Sequence, residues 1–326
     1  MMRTLKPGTA PRPLFVRDSA IITQVLSGIK HIEADDDWDG ISSALQVKRH
    51  YPSVEINISG SKCPDSTADT LVLDKQTHGD GWVVDHHPAS TLPQNVLSFS
   101  MDGKICTSSQ VYLLLPAKDD TDMFMAAIAE ITEGLDSYGL RNGVLRDFLD
   151  KYPEYASKSK MGNQYLKPFE IYDMADIIAL ISNRDQAYAL ALGERLSPDK
   201  VKSADGLIAM LSPEFRNMVK RYFGFIAQPT DRFFKPFRID DHEVMIADSN
   251  SMEFPMQALS KALLEHPANY VLLKGDRVSI RTQNQKLVDD IVKKLGDHVE
   301  SHGGRVGWYG MILTGNLDYR EFLNLL

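Results

Sequence analysis

Four carboxylates fall within five positions at Asp35-Asp36-Asp37-Trp38-Asp39, and Gly40 follows them. The run comes straight after Ile29-Lys30-His31-Ile32-Glu33-Ala34, whose apolar alternation reads as a strand. Alternate strand residues share a face. If the backbone stays extended, Asp35, Asp37 and Asp39 point one way and Asp36 and Trp38 the other. Like charges this close oppose one another's ionisation, and a hard divalent cation, which prefers carboxylate oxygen, relieves them. A solvated acidic loop is the bland alternative. The apolar strand before the run and Gly-Ile-Ser-Ser-Ala-Leu after it make a poor context for a free tail.

Two further strand ends carry ligand-type residues. Thr70-Leu71-Val72-Leu73 reads as a buried strand ending at Asp74, and Gly81-Trp82-Val83-Val84 as another ending at Asp85-His86-His87-Pro88. Alone, a strand-end Asp is more often a cap than a ligand, and one ring of a His-His pair can simply be hydrogen-bonded in a loop. Together with the acidic run they place carboxylates and imidazoles, both good ligands for a manganese-type ion, at the ends of strands of one sheet.

The elements that must position them alternate. A helix is expected over Asp18–Ser27, a second after Gly40 to about His50 with Ser42 or Ser43 as its cap, and a strand at Val54–Ile58. Helices follow near Ser108–Leu115 and Asp122–Gly134, with 140–190 mostly helical. Strands alternating with helices describe an open parallel α/β sheet, whose sites lie at strand C-terminal ends. Residues 239–326 read as a smaller α/β domain, with strands at Glu243–Ala247, Tyr270–Lys274 and Arg277–Arg281 and helices near Pro255–Glu265 and Gln285–Leu295. The expected organisation is a catalytic domain over 1–193, a helical connector over 194–238 and a substrate-binding domain over 239–326.

Composition sets the outer bounds. The 326 residues are 43% hydrophobic and 25% charged, ordinary for a globular chain. A net charge of −8 argues against a broad duplex-binding surface, while leaving room for a local groove that takes a short anionic ligand. Cys63 and Cys106 are the only cysteines, so neither a disulfide framework nor a zinc cluster is expected. No signal-type leader and no apolar run of about 18 residues is present, so no membrane partner and a reducing, cytoplasmic compartment are expected. The 194–238 stretch holds nine Lys/Arg against five Asp/Glu, interleaved with aromatics such as Phe215, Tyr222, Phe225 and Phe234. Such a pattern can bind single strands, but packing of the aromatics into a core is the reading we favour.

The motifs resemble those of the DHH phosphoesterases. That family's first motif, Asp/His-x-Asp-x-Asp-Gly, is matched by Asp35 to Gly40. Its second, an Asp after an apolar strand, is matched by Asp74, and its name-giving Asp-His-His by Asp85-His86-His87. Its fourth, an Asp after a helix, is best matched by Asp136. Asp35, where many small members carry His, and Pro88 both resemble the RecJ branch. The C-terminal domain is similar to the family's second domain, with Ser279-Ile280-Arg281-Thr282 for its Ser-x-Arg-Ser/Thr strand and Gly303-Gly304-Arg305 for its Gly-Gly-His loop. Arg305 departs from the family His. It grips phosphate in bidentate fashion but cannot act as an acid at neutral pH.

The resemblance implies two metal ions, manganese with magnesium as the alternative, in a cleft between the two domains. The first ion would be held by Asp35, Asp37 and Asp74, and the second by Asp39, Asp74, His86 and Asp136. His87 would contact the scissile phosphate, Asp85 would orient His86, and Arg281, Gly303, Gly304 and Arg305 would bind substrate. Asp36 is expected to stay outside. The implied function is phosphodiester hydrolysis of single-stranded DNA or RNA or of short oligonucleotides, as an exonuclease. Hydrolysis of a cyclic dinucleotide or a 3′-phosphoadenosine-type bisphosphate is an alternative, as is a non-catalytic RecJ-like replication partner. Oligomeric state is not legible in the sequence.

Overall fold

Short apolar runs build the parallel sheet that the sequence predicts, with a helix before each of His31–Ala34 and Glu55–Ile58 but none, among the described residues, between Glu55–Ile58 and Asn95–Val96. The computed structural model describes residues 14–15, 18–60, 63–87, 93–98, 100–101, 103–134, 143–159, 169–227, 234–248, 254, 269–305 and 307–326. They belong to two units, Met1–Ser157 with Phe169–Leu207 and Lys158–Pro168 with Ile208–Leu326.

In the first unit, β1 (Leu14–Phe15), β2 (His31–Ala34), β3 (Glu55–Ile58), β4 (Thr70–Leu73), β5 (Trp82–Val84) and β6 (Asn95–Val96) form one sheet in the order β1-β6-β5-β4-β2-β3. Every pairing is parallel. Thr-Leu-Val-Leu of β4 is buried at all four positions, as a strand covered on both faces requires. The chain runs outward from β2 to β3 and then crosses back to β4 on the other side of β2. The strand order therefore reverses between β2 and β4, the position where open α/β sheets place ligands.

Helices α1 (Ser19–Gly28), α2 (Trp38–His50), α3 (Thr107–Leu114) and α4 (Asp120–Thr132) follow the expected segments to within a residue or two. Ile22 and Leu26 of α1, Ala44 and Val47 of α2 and Val111 of α3 join Ile32, Leu71, Leu73 and Val84 of the strands in one core. Helix α2 is buried at ten successive positions, Trp38 to Val47, because it packs against the sheet, α3, α4 and the later helix Gln186–Gly193. Its cap is Asp37, not Ser42 or Ser43. Both serines lie inside the helix, and their hydroxyls bond back to the Asp39 carbonyl. Further helices are α5 (Val144–Lys151), α6 (Glu170–Ser182), α7 (Gln186–Gly193) and α8 (Ala204–Met210).

The second unit carries α9 (Pro213–Ala227) and a sheet of β7 (Lys235–Ile239), β8 (His242–Asp248), β9 (Asn269–Lys274), β10 (Arg277–Arg281), β11 (Val299–Arg305) and β12 (Trp308–Leu313). Its order is β11-β12-β10-β9-β8-β7, antiparallel except for β8 with β9. Amphipathic α10 (Gln285–Leu295) and α11 (Tyr319–Leu325) bury Leu287, Ile291 and Phe322 with Ile246, Val271 and Ile280 of the strands. The expected glycine loop is a correction: Gly303, Gly304 and Arg305 are the last residues of β11, opposite Gly310, Tyr309 and Trp308. The β12 backbone supplies the ladder partners that a loop would lack. The helix expected near 255–265 lies outside the described residues.

Aromatics of the basic stretch pack inward. Tyr222 and Phe234 are buried, with Tyr222 5.5 Å from Phe254 and Phe234 5.2 Å from Tyr270 between ring centroids. Among the described residues, no helix is long and apolar enough to cross a membrane.

Candidate metal centre

Strand β2 stops at Ala34, so the alternation argument fails beyond that residue. Asp35, Asp37 and Asp39 converge by a tight turn into α2. The Asp37 Oδ1 accepts from the amides of Asp39 at 2.9 Å and Gly40 at 3.2 Å, satisfying orphan donors of the first helical turn. Gly40 serves close approach. A Cβ there would lie 2.6 Å from the Asp35 carbonyl oxygen. Asp36 turns aside toward Gly60, where a Cβ would meet its carboxylate at 3.3 Å. It thus lies outside the cluster as expected, by turn geometry rather than by strand alternation.

Asp74 follows β4 directly with φ +62°, a left-handed conformation that Asp tolerates better than most residues. Its amide donates to the Val84 carbonyl at 2.9 Å, tying it to the end of β5. The side chain turns into the cluster. Ligand atoms of Asp35, Asp37 and Asp74 lie within 4.8 Å of one another, and so do those of Asp74, His86 and His87. His86 Nε2 is 3.5 Å from Asp74 Oδ1, 3.8 Å from Asp39 Oδ2 and 3.7 Å from Glu133 Oε2. Asp39 is fully buried.

Burial, then the neighbouring Glu133 and Asp35, push the Asp37 carboxyl up to about 8. Burial and the adjacent Asp37 push Asp39 up to about 7. Asp74 is raised by burial and by Asp39, Asp37 and Glu133, and Asp35 is raised chiefly by burial. Asp74 Oδ2 is buried and has no hydrogen-bond partner among the described residues. A crowd of desolvated carboxylates around one orphaned oxygen, with imidazole at its edge, is a donor set that fits a divalent cation of the manganese or magnesium class.

Partial desolvation disfavours the charged His87 ring, half exposed though it is, but its bond to Asp85 and the charges of Asp85, Glu133 and Asp39 outweigh this and raise it to about 9. His87 Nδ1 donates to Asp85 Oδ1 at 2.8 Å. The sequence expectation that Asp85 orients His86 is corrected: the ring that bonds its carboxylate is that of His87. Asp85 is lowered below the usual carboxylate range, because that bond and the ring's charge outweigh its burial. Gln76 donates to its other oxygen, and Ser98 Oγ accepts from its amide at 2.7 Å.

Asp136 lies outside the described residues. Glu133, which caps the C-terminal end of α4, was missed from sequence; an acid ending a helix was the signal. Thr107 was missed too, since a threonine opening a helix is no chemical signal. In the second unit, Arg281 is buried at the end of β10, its Nη1 donating to the Ile280 carbonyl at 2.9 Å. Tyr309 pairs with Ile280 on one side and Gly304 on the other, so register gathers Arg281, Gly303, Gly304 and Arg305 at one end of that sheet.

Against known proteins, the likeness is one of shape. The crystal structure of exonuclease RecJ bound to manganese matches 94% of this chain and 91% of its own, at TM-score 0.57 and 14% identity. The DHH domain of a member of a ribosomal-protein family matches 94% of this chain and 87% of its own, at TM-score 0.59 and 11% identity. The chain has the DHH fold. RecJ from Thermus thermophilus, solved with Mn²⁺, is matched at TM-score 0.58 and 16% identity over 94% of this chain and 52% of that one. No family model matches the sequence, and no curated protein matches it. At such identities the DHH likeness is carried by the fold and by the strand-end motifs that occupy it.

Proposed function

We propose that this chain is a metal-dependent phosphodiesterase that hydrolyses single-stranded nucleic acid, as a RecJ-like exonuclease or as a nuclease of short oligonucleotides. The observation that carries the reading is the convergence of Asp35, Asp37 and Asp74, their ligand atoms within 4.8 Å, at the switch point of a parallel sheet. On this reading those three hold one ion. Asp39, Asp74, His86 and Asp136 hold a second, with Glu133 beside them, 3.7 Å from His86 Nε2. Mixed carboxylate and imidazole donors suit Mn²⁺, with Mg²⁺ as the substitute. Ions bound there supply Lewis-acid charge to a phosphoryl oxygen and lower the pKa of a water.

The chain's own residues do the binding and orienting. His87 is half exposed beside the buried cluster. Protonated and clamped at Nδ1 by Asp85, its ring has Nε2–H to donate to an anionic phosphate oxygen. In the second unit, Arg281, Gly303, Gly304 and Arg305 are assigned to substrate phosphate.

The test is a time course with Mn²⁺ on single-stranded DNA and RNA of two to about thirty nucleotides, labelled in turn at each end. Asp37→Asn is the control, because its remaining amide oxygen keeps the helix cap. Stepwise shortening of long strands identifies an exonuclease and its polarity, and cleavage confined to the shortest oligomers a scavenger of fragments. Wild-type protein that binds Mn²⁺ and cleaves neither overturns the nucleic-acid reading. Such a result moves the assay to cyclic dinucleotides and nucleoside bisphosphates. Protein that binds no Mn²⁺ overturns the enzyme reading altogether.

A further inference from the structure

Helix α3 begins without a local cap. Its N-cap residue is Cys106, whose side chain makes no capping bond to the helix. A helix start leaves four amides without intrahelical partners, and here two of them go to a distant carboxylate. Thr107 N donates to Asp39 Oδ2 at 2.8 Å and Ser108 N to Asp39 Oδ1 at 2.7 Å. Asp39, from the first turn of α2, is thus the effective cap of α3. The Thr107 hydroxyl then donates to Asp74 Oδ1 at 2.9 Å. Thr107, Asp39 and Asp74 are all essentially inaccessible to solvent. One short turn therefore grips both oxygens of one site carboxylate and a single oxygen of the other, leaving Asp74 Oδ2 as the oxygen without a hydrogen bond among the described residues.

We infer that Thr107 is a positioning residue of the metal centre, whose hydroxyl fixes the Asp74 carboxylate so that Oδ2 faces the cation. The inference rests on the functional reading above. A threonine hydroxyl rotates only within the rotamers its branched Cβ allows, and its proton has a fully buried acceptor at hydrogen-bond distance. Its removal frees Asp74 to turn about its side-chain torsions and returns Oδ1 to the crowd of competing carboxylates. The backbone bonds to Asp39 remain, so the loss falls on Asp74. Partners of this kind outside the ligand shell are commonly worth about 10- to 100-fold in metal affinity.

The experiment compares wild-type, Thr107→Ala and Thr107→Ser full-length protein by calorimetric titration with Mn²⁺, alongside the melting temperature in chelator. Ala and Ser both lose the methyl group and differ by the hydroxyl alone, so the pair isolates the bond even if bulkier replacements fail to fold. The expected result is Mn²⁺ affinity weakened at least 10-fold in the Ala variant and within about 3-fold of wild type in the Ser variant. A purely structural hydroxyl shifts melting temperature without this split. Wild-type binding with equal affinities in the Ala and Ser variants overturns the positioning role alone. Absence of Mn²⁺ binding in wild type overturns the functional reading on which it stands.

Discussion

Gly40→Ala is expected to destabilise the protein and disarm the metal centre, against the usual sign for such a change inside a helix. Replacing a helical glycine by alanine ordinarily stabilises by about 1 kcal/mol. At Gly40 the new Cβ would meet three backbone atoms of Asp35, its carbonyl oxygen at 2.6 Å, its nitrogen at 2.8 Å and its carbonyl carbon at 3.0 Å. Backbone cannot swing aside as a side-chain tip can, so the upper part of the overpacking range, about 3 kcal/mol, applies. Subtracting the propensity gain leaves a net loss of about 2 kcal/mol, or roughly 4–8 °C in melting temperature for a unit of this size. Asp35 carries the strain and is itself a site carboxylate, so Mn²⁺ affinity should fall at least 10-fold, as site geometry tolerates shifts of only about 0.5 Å. The comparison is Gly224→Ala in α9, where a Cβ meets nothing within 4 Å and a gain of about 1 kcal/mol is expected. The assay is thermal unfolding of both variants with calorimetric titration of Mn²⁺. If Gly40→Ala melts at or above wild type and binds Mn²⁺ as tightly, the close-approach argument is wrong.

Other outcomes follow from the same geometry. Asp37→Asn keeps both cap bonds, because Oδ1 alone accepts them, whereas Asp37→Ala loses about 1 kcal/mol of capping; both should lose Mn²⁺ binding, and only Ala should lower the melting temperature in chelator. In chelator, stability should fall as pH rises from about 4 to about 9. The folded chain keeps protons on Asp37 (about 8) and Asp39 (about 7) that the unfolded chain has released, and His87 (about 9) loses its stabilising charge over the upper part of that range. Melting curves from pH 5 to 9 with chelator and with saturating Mn²⁺ test this, and a melting temperature in chelator that climbs with pH contradicts it. Lys75 is buried and donates to the Ala34 carbonyl, Ser59 Oγ and the Gly60 carbonyl at 3.0, 2.7 and 3.0 Å. Lys75→Met should cost about 2 kcal/mol in urea unfolding, and a cost near zero would show that these bonds contribute nothing net.

The strand ends were the legible part of the site. Thr70 to Leu73 and the Asp74 after it stand where apolar runs and residue types place them, because a doubly covered strand needs an unbroken apolar run. The acidic stretch was legible as chemistry but not as geometry. Period-2 reasoning carried past Ala34, while Asp37 had already taken the capping position that starts a helix, a competition between strand and cap that local pattern leaves undecided. The same limit misplaced the cap onto Ser42 and Ser43 and made a loop of Gly303 to Arg305, whose strand character comes from pairing with β12, a tertiary partner. Thr107 escaped because it acts through residues brought near by the fold, with no spacing to mark it, and Glu133 because an acid ending a helix is a signal that only the fold ties to the cluster.

The register of the first sheet also bears on how fast the protein comes apart. Leu14 pairs with Asn95 and Ala34 with Leu73, so the sheet closes through contacts between distant parts of the chain, and such topologies fold slowly. Asp35, Asp37 and Asp74 come together only when the β2–β4 register is complete. A cation they hold is therefore gripped late, after the rate-limiting ordering of the chain. Metal bound there would act on the escape rate, slowing unfolding and leaving refolding almost untouched. Loading and chelation of the centre would set the lifetime of the folded chain, separately from its equilibrium stability.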